Sequence, residues 1–86
     1  MLCSVEISMY PLKENFKPSI IVFIKNLRKY PFIKVTTNGM STQVFGEYKI
    51  VMNAINTDME NTFLNENSVV FNLKVINSDL EEKPNF

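Results

Sequence analysis

The sequence predicts an α+β domain in which one antiparallel sheet of four strands carries two helices on one face, and three observations support this. Apolar and polar residues alternate in 2–10 and 68–76, as in half-buried strands. Apolar residues recur with the helical period in 19–30 and 47–63. An Asn-Gly pair at 38–39 separates two β-prone runs, which indicates a hairpin. The order β-α-β-β-α-β predicts a ferredoxin-like sandwich, with strands 1 and 3 central and strand 4 beside strand 1.

The first predicted strand, 2–10, divides its side chains between two faces. The apolar set, expected to meet the helices, is Val5, Ile7 and Met9. The set on the opposite face is Ser4, Glu6, Ser8 and Tyr10. We expect Pro11 to end the strand, because proline donates no hydrogen bond to a sheet ladder.

Both predicted helices show an apolar stripe on one side. In 19–30 the stripe is Ile20, Phe23, Ile24 and Leu27. In 47–63 it is Tyr48, Val51, Met52, Ile55 and Met59. Pro18 suits the first turn of the first helix, and Pro31 is expected to stop it. For the second helix we expect Gly46 at the N-cap and Glu47 in the first turn, where the helix dipole favours an anion.

The hairpin is predicted to turn on a two-residue loop, Asn38 and Gly39, with both residues at positive φ. Such a loop fixes the pairing of the two strands. The expected pairs are Thr37 with Met40, Val35 with Thr42, and Ile33 with Val44. We expect this more apolar set to face the core. The other face of the hairpin then carries Lys34, Thr36, Ser41, Gln43 and Phe45.

Length and composition limit the functions that the chain can have. With 86 residues we expect one domain over 1–78 and a loose acidic tail over 79–86. Nine basic residues balance nine acidic ones, which argues against a nucleic-acid or membrane-surface partner. The sequence has no histidine and only one cysteine, Cys3, so we expect no zinc site, no disulfide and no cofactor. We therefore expect a cytoplasmic protein without signal peptide or membrane segment, and not an enzyme.

The sheet face turned away from the helices, called the open face below, is predicted to be chemically mixed. Its members are Ser4, Glu6, Ser8, Tyr10, Thr36, Ser41, Gln43, Phe45, Val70, Asn72, Lys74 and Ile76. A solvated sheet face carries more charge, so this mixture favours contact with another sheet or with a small ligand. The alternative is a solvated face with a cross-strand pair between Glu6 and Lys74.

Three stretches carry a resemblance to a known family: VEISMYPL at 5–12, TNGMSTQVFGEY at 37–48 and VVFNLKVIN at 69–77. Together they resemble the small single-domain members of the YkoF-like, thiamine/hydroxymethylpyrimidine-binding family, and 40–47 is the most specific part. The resemblance implies a non-enzymatic binder of thiamine or its pyrimidine precursor. It also implies that single domains associate, as a homodimer or homotetramer, by extending and stacking their sheets.

An aminopyrimidine has an amine donor, ring-nitrogen acceptors and a flat π-face, so its site needs an acceptor, donors and an apolar wall. We expect Glu6 to be the acceptor. The expected donors are Ser8, Asn38, Ser41 and Thr42, and the expected wall is Tyr10, Met40 and Phe45. Each residue also has a structural alternative: Glu6 paired with Lys74, Asn38 as a turn residue, Met40 in the core, Ser41 and Thr42 as cross-strand partners, and Tyr10 in a dimer interface.

Two other functional classes stay open from the sequence. A structural or regulatory module would use the open face for self-association and bind no small molecule. An enzyme of the acylphosphatase type would need an arginine and an asparagine in a phosphate site after strand 1. The connector PLKENFK at 11–17 holds Asn15 but no arginine, which argues against this enzyme.

Overall fold

The computed structural model of the chain describes residues 1–82 and 84–86, and over these ranges it contains four strands and two helices. The elements are β1 (Leu2–Pro11), α1 (Lys17–Leu27), β2 (Ile33–Thr37), β3 (Thr42–Glu47), α2 (Tyr48–Asn65) and β4 (Val69–Ile76). Their order confirms the predicted β-α-β-β-α-β arrangement. Neither helix is long and apolar enough to cross a membrane. The expected loose tail at 79–86 includes Lys83, which lies outside the described residues, and its looseness stays a prediction.

The sheet has the strand order β2-β3-β1-β4, with every neighbouring pair antiparallel. β1 and β3 are therefore central and β4 lies beside β1, as predicted for a ferredoxin-like fold. The core lies between the sheet and the helices. Its buried members are Cys3, Val5, Ile7, Met9, Phe23, Leu27, Val44, Val51, Ala54 and Ile55. Burial of the three alternate apolar side chains of β1 confirms the predicted inward face, because period-2 alternation directs them to one side.

β1 ends at Pro11, one residue beyond the predicted 2–10, and its length relative to β3 shapes the surface discussed below. Pro11 is the last paired residue, opposite Val69 on β4, as expected of a proline that ends a strand. As the last residue of the strand it leaves the ladder intact up to that point. β3 pairs with β1 only over 2–7. Residues 8–11 of β1 thus have β4 on one side and no paired strand on the β3 side.

The predicted register of the hairpin is wrong by two residues. Thr37 pairs with Thr42 rather than Met40, and Val35 pairs with Val44 rather than Thr42, while Ile33 lies opposite Gly46 rather than Val44. The loop spans residues 38–41, and neither of its first two residues has a positive φ. A shift of two residues preserves the faces, because side chains alternate with period two.

Asn38 is the physical reason for the longer loop. Its side-chain Oδ1 accepts hydrogen bonds from Met40 N at 2.8 Å and Ser41 N at 3.1 Å, and its own backbone N–H donates to Ser41 O at 3.1 Å. An asparagine that caps the following backbone groups in this way stabilises a turn without positive φ. Met40 therefore leaves the strand and is 89% exposed, which corrects its expected place in the inward-facing set.

The cap of α2 also differs from the prediction. Glu47 is the N-cap, and its Oε2 accepts from Lys49 N at 2.9 Å and Ile50 N at 3.2 Å. Gly46 instead lies in β3 at φ 155°, where an added Cβ would lie 3.0 Å from the carbonyl oxygen of Phe32. Glycine is required there for the close approach of two backbones, and the next residue with a suitable acceptor side chain becomes the cap.

Candidate functional site

A cleft of about 390 Å³ lies at the uncovered side of β1, between the 38–41 loop and α1. It exists because β1 extends past the end of β3, so that residues 8–11 form one wall and the loop forms the opposite wall. In the part of the chain that the structure describes, no strand pairs with this side of 8–11. The backbone groups of 8–10 that point to this side therefore have no ladder partner among the described residues. The volume falls in the range of small-molecule sites.

Helix α1 forms the apolar floor of the cleft. Ile20, Phe23 and Ile24 line it, and Phe23 also belongs to the buried core. Phe16, at the N-cap of α1, and Tyr10, near the end of β1, add two partly exposed aromatic rings. The Phe16 ring beside this aliphatic floor provides a surface on which a flat ring can pack, whereas the Tyr10 side chain points to the open face, opposite Val70.

The polar wall of the cleft consists of hydroxyl and amide groups from β1, β3 and the loop: Ser8, Asn38, Ser41 and Thr42. Thr42 is buried, and its Oγ1 lies 2.9 Å from Thr37 Oγ1. Because Asn38 Oδ1 is occupied by backbone N–H groups of the loop, its side chain presents the NH₂ group as a donor. The wall can therefore both donate and accept hydrogen bonds.

Glu6 lies behind this wall rather than in it. Its Oε2 accepts a hydrogen bond of 2.8 Å from Ser41 Oγ, and its Oε1 lies 3.5 Å from Lys74 Nζ. The hydrogen bond from Ser41 and then the charge of Lys74 lower the pKa of the Glu6 carboxyl, so it is ionised near neutral pH. The Ser41 hydroxyl proton is directed to Glu6, and the same oxygen accepts from Gln43 Nε2 at 3.2 Å, which leaves one lone pair of this cleft residue for a ligand. The pair with Lys74 that was considered as an alternative is also present.

The structure brings six of the eight predicted site residues into one cleft: Ser8, Tyr10, Asn38, Met40, Ser41 and Thr42. Glu6 is connected to it through Ser41. Phe45 lies elsewhere, in a hollow of about 270 Å³ on the open face. Whether these residues bind a ligand stays a prediction.

Sequence analysis missed the contribution of α1 to this cleft. Phe16 had been assigned to a polar connector, and the stripe of Ile20 and Ile24 to the core. An isolated aromatic residue two positions before Pro18, at the start of a helix, was the available indication. This aromatic residue is weak evidence for a site as long as the strand lengths are unknown. Its meaning becomes clear only because β1 extends past β3, which brings the end of β1 near α1.

A second unpredicted feature is Asp58, on the face of α2 that packs toward α1. This residue is 2% exposed, and its Oδ2 has no hydrogen-bond partner among the described residues. Burial raises the pKa of Asp58 to about 6, although a hydrogen bond with the Asn26 side chain acts in the opposite direction. Its spacing of seven residues from Val51 places it on the apolar stripe of the helix, which was the signal in the sequence.

Metal and thiol chemistry have few candidate groups. Within residues 1–82 and 84–86, no group of three or more Cys, Asp or Glu side chains is placed to hold a metal ion. Cys3 is buried, and burial, assisted by the charge of Glu47, raises the pKa of its thiol. A buried thiol of raised pKa is a weak nucleophile.

The strand order, the helices on one face and the cleft define a ferredoxin-like α+β domain with a hollow of ligand size. No protein-family profile and no curated protein sequence matches the chain. Several solved structures share the fold. A hypothetical protein from Methanocaldococcus jannascii is 23% identical, with a TM-score of 0.76 over 98% of this chain and 88% of that one.

Two further solved structures extend the comparison. A Thermotoga maritima protein assigned provisionally to thiamine biosynthesis or salvage is 18% identical, with a TM-score of 0.78 over 87% of this chain and 82% of that one. A domain of unknown function from Bacillus cereus is 10% identical, with a TM-score of 0.74 over 93% of this chain and 79% of that one. At these identities the likeness concerns the fold.

Proposed function

We propose that this chain belongs to the YkoF-like family and binds thiamine or its hydroxymethylpyrimidine precursor in the cleft beside β1. The observation that carries the proposal is the cleft itself, which joins hydroxyl, amide and aromatic groups from β1, α1 and the 38–41 loop. The Thermotoga maritima protein of the same fold, with its provisional link to thiamine, supports the choice of ligand.

The chemistry of the cleft suits an aminopyrimidine ring. Ser41 Oγ, whose proton is committed to Glu6, accepts from the exocyclic amine. The Asn38 amide and the Ser8 hydroxyl donate to ring nitrogens or to the hydroxymethyl oxygen. Phe16 packs against the ring, and Tyr10 lies at the edge of the cleft near the end of β1.

The charge of the cleft suits thiamine as a cation. None of the described side chains that line it is basic or acidic, and the Glu6 carboxylate lies one hydrogen bond behind Ser41, with Lys74 Nζ 3.5 Å from its other oxygen. A thiazolium ring near this carboxylate is attracted to it, whereas a phosphate ester has no cation in the lining to meet it.

The proposed activity is binding without a chemical step, in the cytoplasm. The sequence contains no histidine, and none of the described residues that line the cleft is a carboxylate or a lysine that could serve as a general base. We further propose that copies of the chain associate as a homodimer or homotetramer, so that a second copy lies at or near the mouth of the cleft. The exposed Met40 at this mouth is an apolar contact for such a partner.

A self-associating module without a ligand is the second candidate, and the open face favours it. Tyr10 and Val70 lie opposite each other on β1 and β4, and both are about half exposed. Together they form an apolar area beside charged and amide groups, a composition found in surfaces that pair with another protein.

Isothermal titration of the full chain with thiamine and with hydroxymethylpyrimidine separates the two candidates. We expect binding of at least one ligand, weakened about tenfold by Ser8→Ala, which removes a proposed donor from the polar wall. Ser68→Ala, an identical change at an exposed serine just before β4, is the matched control and should leave affinity unchanged. No heat and no thermal shift with either ligand at millimolar concentration would overturn the binding proposal in favour of the module.

A further inference from the structure

The segment that follows β4, residues 77–81, turns back across the open face, and we call it the strap. Ser4 Oγ donates a hydrogen bond of 2.7 Å to Ser78 O and accepts one of 2.8 Å from Leu80 N. The hydroxyl of a single residue in the central strand thus bonds the strap at two points. Ser4 is only 7% exposed as a result, although it lies on the open face.

The strap crosses the sheet from one edge to the other along a single row of residues. Ser4 on β1 pairs with Ile76 on β4 and with Phe45 on β3, and Phe45 pairs with Lys34 on β2. Directly paired residues point to the same side of a sheet, so all four lie on the open face. Past Ser4 the strap reaches the far edge, where Glu81 Oε1 lies 2.6 Å from Lys34 Nζ.

The strap covers apolar surface as well as polar groups. Leu80 joins Phe45 and Ile76 in lining the hollow of about 270 Å³ on this end of the face. Without the strap, the aromatic ring of Phe45 and the side chain of Ile76 would face solvent together. An apolar pair of side chains at this end of the face is a surface on which a second sheet can pack.

We propose that the strap competes with a second copy of this chain for the open face. It occupies the row from Lys34 to Ile76, so that two sheets can stack over this row only after the strap leaves. The strap therefore weakens face-to-face self-association and restricts contact to the rest of the face, near Tyr10 and Val70. This inference deepens the proposed association of copies and sets which part of the face it uses.

Sedimentation velocity over a concentration series tests the proposal with Leu80→Ala, which removes the leucine side chain from the hollow that Glu6 and Lys74 also line. We expect its self-association constant to rise several-fold, about fivefold, over that of the unsubstituted chain, since the strap loses its apolar contact. Leu64→Ala, an identical change at an exposed leucine of α2, is the matched control and should have no effect. An unchanged or weaker self-association of Leu80→Ala would overturn the proposal.

A charge exchange gives a second test that leaves the core untouched. Lys34→Glu and Glu81→Lys each break the ion pair at the far edge, and each should raise self-association about two- to threefold, in keeping with an exposed pair. The double variant restores opposite charges and should return to the wild-type value. Failure of the double variant to return would contradict the competition. Calorimetry with thiamine measures ligand binding in the cleft and not self-association. Failure of the strap proposal can therefore be distinguished from failure of the binding proposal.

Discussion

Ser41 donates a hydrogen bond of 2.8 Å to Glu6 across 35 positions of the chain, and this bond joins the loop wall of the cleft to the central strand. Gln43 Nε2 adds a contact of 3.2 Å to the same Ser41 oxygen. The loop is therefore held against β1 by side chains and not only by the hairpin ladder. Its position relative to Ser8 and Tyr10, on the opposite wall, depends on these polar contacts.

The first prediction concerns this bond. Ser41→Ala and Glu6→Gln should each weaken ligand binding about fivefold to tenfold, because each disturbs the acceptor that faces the amine. The double variant should be little weaker than either single variant, since both act through one contact. Calorimetry on the four proteins checks this. Additive losses would show that Glu6 and Ser41 act separately. Ser68→Ala, an exposed serine at the start of β4, is the control.

The second prediction concerns the pH dependence of stability through Asp58. Its folded pKa of about 6 lies above the unfolded value of 3.8, so the folded state holds this proton more tightly. The stabilising contribution is complete below the unfolded pKa and is lost as pH rises through about 6. Asp58→Asn removes the buried charge and should raise the free energy of unfolding by about 1–2 kcal/mol at pH 7.5.

Urea unfolding between pH 4 and pH 8 measures this difference between variant and wild type. The gain of Asp58→Asn should grow from pH 4 to about pH 6.5 and stay constant above it. Glu60→Gln removes a charge from the exposed face of the same helix and should show no such curve. A gain independent of pH would mean that the Asp58 carboxyl is not the titrating group.

The third prediction contrasts the two glycines. Gly46→Ala should destabilise the chain by about 1–3 kcal/mol, because φ is 155° and the new Cβ meets Phe32 O at 3.0 Å and Val51 Cγ2 at 3.1 Å. Gly39→Ala places its Cβ where no atom lies within 4 Å, and its effect should stay within about 0.5 kcal/mol. Thermal and urea unfolding of both variants provide the comparison, and equal effects would contradict the close contact at Gly46.

The fold followed from local patterns because period-2 and helical spacing are properties of short segments. Val5 and Ile7 face the core because alternate side chains of a strand point to the same side, and this alternation is what predicted their burial. The hairpin register did not follow, since it depends on Asn38 Oδ1 capping two loop N–H groups, a contact that the pattern of the strands does not report. Two turns that differ by two residues leave every face unchanged, so the alternation of β3 could not distinguish them.

The cleft was foreseen in part. Ser8, Tyr10 and the loop residues were singled out from their chemistry, and the structure places them together. Phe16 was not singled out, because its position in the cleft depends on the unequal lengths of β1 and β3. Asp58 was hidden for a different reason: a carboxylate on an apolar stripe is visible in the sequence, but its missing partner is visible only after the helices pack.

The central place of β1 has a consequence for how the chain folds. Both partners of this first strand come later in the sequence, and Ser4 and Ser78, which the strap joins, are 74 positions apart. Pairings of such long range close slowly, because the intervening chain must first be ordered. Until β4 arrives, β1 has an unpaired edge, and its apolar side chains Val5, Ile7 and Met9 lack part of their cover. We expect the chain to be most prone to aggregation in this interval.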